Sequence, residues 1–148
     1  MTSKSTFNTV ARKMGKQLLE HVGRFNTELF SIALIEKDAD LSVRDKNGMS
    51  ALMIAASTRK SLATKAILRR DTDVSAINKS GMNALALAII DGNKEIAQMV
   101  FDHGGKLTAT QIIEISTNAK TEAIAVLRDI AKQQDDLLVK QKKNKPTL

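Results

Sequence analysis

The side chains that carry most protein chemistry are sparse in this chain, and those present lack partners at useful spacing. His21 and His103 are its two histidines. They stand far apart in the sequence, and neither has carboxylates around it at metal-ligand spacing. His103 precedes Gly104-Gly105 and reads as a helix C-terminal residue facing free carbonyls. With no cysteine, disulfide scaffolds and thiolate zinc sites are excluded, and a reducing compartment is favoured. No Gly-x-Ser-x-Gly elbow, phosphate-cradling Gly-Lys loop or dinucleotide fingerprint occurs. Asp91-Gly92 and Gly104-Gly105 read as turns. The pattern predicts no enzyme, no metal and no cofactor.

Charge is the next signal. The net charge is +7, and residues 132–148 supply five lysines against Asp135 and Asp136. That basic tail, with Pro146 near its end, predicts a frayed segment, with room for one more short helix from Asp135. The basic tail, with the basic residues around Arg44, Lys46 and Lys79, makes nucleic-acid association the alternative function. Against it, single-strand readers need aromatic platforms, and the chain has four Phe with no Tyr or Trp. Phe30 and Phe101 fall at positions expected to be buried. Phe7, Val10, Met14, Leu18 and Val22 form one helical stripe beside Lys4, Arg12, Lys13 and Lys16. The stripe reads as a capping helix, with a presequence or membrane-surface helix as the competing reading. No apolar run approaches the length that a membrane span needs.

The elements that must position any functional face repeat. Gly48-Met49-Ser50-Ala51-Leu52-Met53-Ile54-Ala55 returns at a spacing of 33 as Gly81-Met82-Asn83-Ala84-Leu85-Ala86-Leu87-Ala88. Leu29, Leu62 and Glu95 share one register position, and Leu34, Ile67 and Val100 another. Apolar residues in 51–58 and 61–69 recur at helical spacing. Ser50, Asn83 and Thr110 read as N-caps of the first helix of each unit. Thr110 follows Asn83 at a spacing of 27 and so falls six residues short of a full period, as if a connecting segment were missing before a terminal cap.

The period of 33 and the Gly-x-polar-small-Leu-x-x-Ala pattern resemble the ankyrin repeat. The resemblance implies an all-α solenoid of stacked helix-turn-helix units with short β-hairpin-like fingers. The expected layout is one domain, 1–131: a capping helix 1–17, repeats 18–44, 45–77 and 78–110, and a short cap repeat 111–131. A basic C-terminal tail, 132–148, follows. Asp38 and Asp71 stand where the family often places Gly in a left-handed helix terminus. The family's Thr-Pro-Leu-His start is reduced to Ser50-Ala51-Leu52-Met53 and Asn83-Ala84-Leu85-Ala86, which predicts moderate stability.

The resemblance further implies a non-catalytic protein-interaction module, an adaptor or an inhibitor or effector, that binds through finger tips and the concave helix face. Carried over by position, the fingers give Arg44, Asp45, Lys46, Asn47 and Met49, then Ile77, Asn78, Lys79, Ser80 and Met82. The first helices and their turns give Met53, Ser57, Thr58 and Arg59, then Ala86, Ile90 and Asp91, with Glu20, Arg24 and Phe25 in the first unit. Met49, Met53 and Met82 would be adaptable apolar anchors, unless they pack against neighbouring fingers. The excess of Lys and Arg implies a protein partner with an acidic patch around an apolar spot. A monomer is expected in isolation, in the cytoplasm of its own cell or delivered into a host cell without a conventional signal peptide.

Overall fold

A computed structural model describes residues 3–24 and 26–146. Eight helices follow in order: α1 (Ser3–His21), α2 (Glu28–Glu36), α3 (Ala51–Ser57), α4 (Ser61–Leu68), α5 (Ala84–Ile90), α6 (Lys94–Asp102), α7 (Ala109–Asn118) and α8 (Thr121–Lys143). Among the described residues there is no strand, and no helix is long and apolar enough to cross a membrane. The odd-numbered helices stack as one layer, α1 on α3 on α5 on α7. The even-numbered helices stack as the other, α2 on α4 on α6 on α8.

Small residues at fixed register let each layer close up. Leu52 and Leu85, and Ala55 and Ala88, are buried equivalents in α3 and α5. In the outer layer Ser31, Thr64 and Ala97 form a fully buried column, each one period from the next, beside Leu34, Ile67 and Val100. No unit can bury such a face alone, so the stack itself makes the core. Leu29 and Leu62 lie outside it, 79% and 57% exposed, which explains why the third member of that column can be Glu95.

Turn chemistry fixes the period. Ser50 Oγ accepts from Met53 N and Asn83 Oδ1 from Ala86 N, so both act as the expected N-caps. The third cap is Thr108, not Thr110. Its side chain accepts from Gln111 N, and Gln111 Oε1 accepts in return from Thr108 N. This capping box outcompetes a lone threonine two positions later because it satisfies two free N–H groups at once.

Left-handed residues also fall differently from expectation. Asp38 has φ 63°, as the register implies, but Asp71 is not left-handed. A series unread in the sequence is Asn26, Arg59 and Gly92, again one period apart, with φ of 61°, 61° and 71°. At Arg59 and Gly92 the inner helix ends in a Schellman turn, seen in Lys60 N donating to Ala55 O and Asn93 N to Ala88 O.

Both terminal units depart from the expected boundaries. The capping helix and the start of the first repeat are one continuous helix, α1. Gly15 sits inside it, where a Cβ would collide with Asp40 O. It is therefore a close-packing glycine and not a finger glycine, although it shares the spacing of Gly48 and Gly81. At the other end α8 runs unbroken through Lys143, so residues 132–143 are helix rather than a frayed tail. Three features hold α8 in place. Ala123, Val126, Leu127 and Ile130 are buried, Lys94 Nζ meets Asp129 Oδ2 at 2.8 Å, and Gln98 and Gln133 exchange reciprocal amide hydrogen bonds of 2.9 Å.

Candidate partner-binding face

Each finger is a tight turn whose backbone is locked by one side chain. Asp45 Oδ1 accepts from Asn47 N (2.8 Å) and Met49 N (2.9 Å), while Asp45 N donates to Met49 O. One period later Asn78 Oδ1 accepts from Ser80 N (2.9 Å) and Met82 N (3.0 Å), while Asn78 N donates to Met82 O. The turn needs a left-handed residue before the methionine, supplied by Gly48 (φ 76°) and Gly81 (φ 77°). Lys79 N donates across to Asn47 O at 3.0 Å, tying one finger tip to the next.

The stretch leading into each finger is pinned in the same way. Asp40 accepts from Ser42 Oγ (2.6 Å) and N (2.9 Å), and Asp73 from Ser75 Oγ (2.7 Å) and N (3.0 Å). The serine hydrogen bonds hold both carboxyls below their ordinary pKa. Nearby guanidinium groups, Arg12 and Arg70 at Asp40 and Arg44 at Asp73, add to this.

This frame leaves Arg44, Lys46, Asn47, Ile77, Lys79 and Ser80 exposed, with Asn78 half-buried. Arg24 and Thr58 are exposed and Ser57 half-buried, all at the open end of the inner helices. Phe25 lies outside the described residues, as does the side chain of Phe30; Phe101 is buried as expected.

The methionine anchors do not survive. Met53 is 1% exposed and Met82 5%, while Met49 is half-buried with its Sδ facing Asn78 Nδ2 at 3.3 Å. An inner helix flanked on both sides keeps only a narrow open stripe, and for α3 that stripe is Ile54, Ser57 and the C-cap Thr58. Met53, one position before Ile54, faces inward, and so does Ala86 one unit on. The exposed apolar groups on this face are instead Ile77 (58%) and Ile90 (43%).

Arg59 and Asp91 are both engaged. Arg59 Nε lies 2.6 Å from Asp91 Oδ2, and a terminal guanidinium nitrogen donates to Asp91 O at 2.7 Å. The pair walls a groove of about 740 Å³ beside Leu87 and Ile90, whose far side is Asn118, Lys120 and Glu122. These three residues, from the terminal unit, were missed in the sequence. The signal was available, because they bracket the turn between α7 and α8, the counterpart one unit on of the turn at Asp91-Gly92.

No group of three or more metal-ligating side chains occurs among the described residues. His103 closes α6, with Nδ1 2.8 Å from Met99 O, as its position before the glycine pair implies.

Two stacked layers of short helices and a row of locked turns define a helical-repeat protein with an exposed finger row beside a narrow inner-helix stripe. A family model described as ankyrin repeats (3 copies) matches residues 16–111, and the chain belongs to the ankyrin-repeat family. No curated protein matches it. Ankyrin repeats generally mediate protein–protein interaction.

Proposed function

We propose that this chain is a dedicated, non-catalytic adaptor or inhibitor that holds a protein partner against its finger row and inner-helix groove. The partner carries an acidic patch around an apolar spot. The observation that carries the reading is the preorganised finger row. Arg44, Lys46 and Lys79 project from backbone already fixed by Asp45, Asn78 and the bond between finger tips. A fixed backbone loses little conformational freedom on binding, so more of the contact energy appears as affinity.

Ile77 and Ile90 replace the methionines as the apolar anchors. Asp91 is paired with Arg59, and Asp45 alone stands against Arg44, Lys46 and Lys79, so the finger row keeps a net positive charge. The lack of cysteine supports work in a reducing cytoplasm.

The test is affinity capture from the native cell, followed by kinetics on the captured protein. Lys46→Glu/Lys79→Glu should slow association about tenfold, and Ile77→Ala/Ile90→Ala should speed dissociation about tenfold. Kinetics unchanged in both variants would move the site elsewhere. A steep salt dependence combined with indifference to partner identity would point to nucleic acid instead.

A further inference from the structure

The finger row stops one finger early. The caps Ser50 and Asn83 are a full period of 33 apart, but the next cap, Thr108, follows Asn83 by 25 residues. Leu41, Val74 and Leu107 keep the period up to that point. The residues left out are therefore the counterparts of 75–82, the finger itself.

Within the row, one finger covers the one before it. Lys79 N donates to Asn47 O at 3.0 Å, and a Cβ at Gly48 would lie 3.2 Å from Lys79 N and 3.5 Å from Lys79 Cγ. One period on, the same two places are uncovered. Ser80 O, the counterpart of Asn47 O, accepts no hydrogen bond among the described residues. Nothing stands within 4 Å of a Cβ at Gly81, and Gly81 is exposed where Gly48 is half-buried. Both turns carry the same locks, so Ser80 O is aimed along the row as Asn47 O is.

The rim of this ledge has its own chemistry. Arg44 stands near enough to Asp73 of the following unit to stabilise its charge, so that position looks forward along the row. Its successor is Ile77, 58% exposed. Lys106 takes the place held by Asp40 and Asp73 in earlier units. Lys79 and Lys106 are both exposed, and neither makes an ion pair among the described residues.

A backbone acceptor needs a donor, and a helix has spent its N–H groups internally beyond its first turn. A second copy does carry a spare donor, Lys46 N at the leading edge of its first finger. Space excludes it: α7 and α8 stand beyond the last finger, and α1 and α2 before the first. An extended segment meets neither obstacle. Building on the partner-binding reading above, we propose that the partner supplies such a segment in place of the missing finger. One of its N–H groups donates to Ser80 O, and the side chain of that residue lies over Gly81. An apolar neighbour packs on Ile77, and an acid faces the lysines.

The probe is a displayed library of random linear peptides of about twelve residues, long enough to span the gap, selected on the full chain. The comparison protein carries a second copy of residues 75–82 inserted between Leu107 and Thr108, which covers the ledge with the chain's own finger. Enriched peptides should pair an acid with an apolar residue and bind the insertion variant at least about tenfold more weakly. N-methylation at one backbone position should weaken them about tenfold by removing the donor. If circular dichroism shows the insertion variant unfolded, Gly81→Asn replaces it, because Asn tolerates the left-handed backbone and fills the open floor. No enrichment, equal binding to both proteins, or indifference to N-methylation at every position would each overturn the proposal. Peptides held equally by the insertion variant but lost in Lys46→Glu/Lys79→Glu would remove the ledge and leave the finger-row reading standing.

Discussion

Arg59 reaches forward one whole repeat to hold both the carboxylate and the backbone carbonyl of Asp91, and does so from a left-handed backbone. The equivalent residue one unit on is Gly92, which adopts that backbone without strain. Arg59 therefore carries a cost and a gain that can be separated. Arg59→Ala keeps the strained φ and loses the contacts, and should destabilise by about 1–2 kcal/mol in urea unfolding. Arg59→Gly removes about 1 kcal/mol of strain together with the same contacts, and should lie within about 0.5 kcal/mol of wild type. Equal losses in the two variants would show that strain at this position is negligible.

That residue also marks where sequence reading stopped. The stack was legible because Leu52 and Leu85, or Ser50 and Asn83, repeat in type as well as in place. The left-handed series was hidden because Asn26, Arg59 and Gly92 share a backbone conformation and no side-chain chemistry. Burial at the site was obscured similarly. Met53 lies next to the open Ile54, and a single register step decides whether a side chain faces core or solvent. Thr108 was missed because its cap depends on Gln111 Oε1 reaching back, a side-chain partnership that spacing alone does not reveal. The continuity of α8 was masked by its lysines, which read as a solvated tail until Gln133 and Gln134 were seen docked on the array.

Thr64 offers a stabilising change. It fills the small-residue column between Ser31 and Ala97, and its hydroxyl is fully buried without a hydrogen-bond partner. An unsatisfied buried hydroxyl costs about 1–3 kcal/mol, part of which returns when the group is removed without changing shape. Thr64→Val preserves the volume and should raise stability by about 1 kcal/mol, read as a higher urea midpoint with an unchanged slope. A loss of stability would mean that the hydroxyl has a partner.

The shortened step into α7 leaves polar groups that two glutamines satisfy. Gln134 pairs its amide with both backbone groups of Leu107, while buried Gln111 donates to Gly81 O and accepts from Thr108 N. Gln134→Ala should cost about 1–2 kcal/mol and speed amide exchange at Leu107. Gln111→Ala empties a buried site and removes bonds to Gly81 O, Thr108 N and the buried Asn83 amide, and should cost more, about 2–3 kcal/mol. The reverse order would place the seal of the array in α8 rather than at the capping box.

Acid should loosen the approach to the fingers before it touches the core. Asp40 and Asp73 are held below their ordinary value of 3.8, first by the serine hydroxyls of Ser42 and Ser75. A depressed carboxyl pKa binds fewer protons in the folded chain than in the unfolded one. Its contribution is therefore complete above the unfolded value and is lost as pH falls through the folded one. The thermal midpoint should be insensitive to these two groups above about pH 5 and should fall from about pH 4 downward. Ser42→Ala/Ser75→Ala removes the hydroxyl donors, lowering the midpoint at neutral pH and making the acid decline shallower. Melting curves from about pH 2 to 7 on both proteins decide the matter, and parallel acid limbs would dissociate these turns from the pH response.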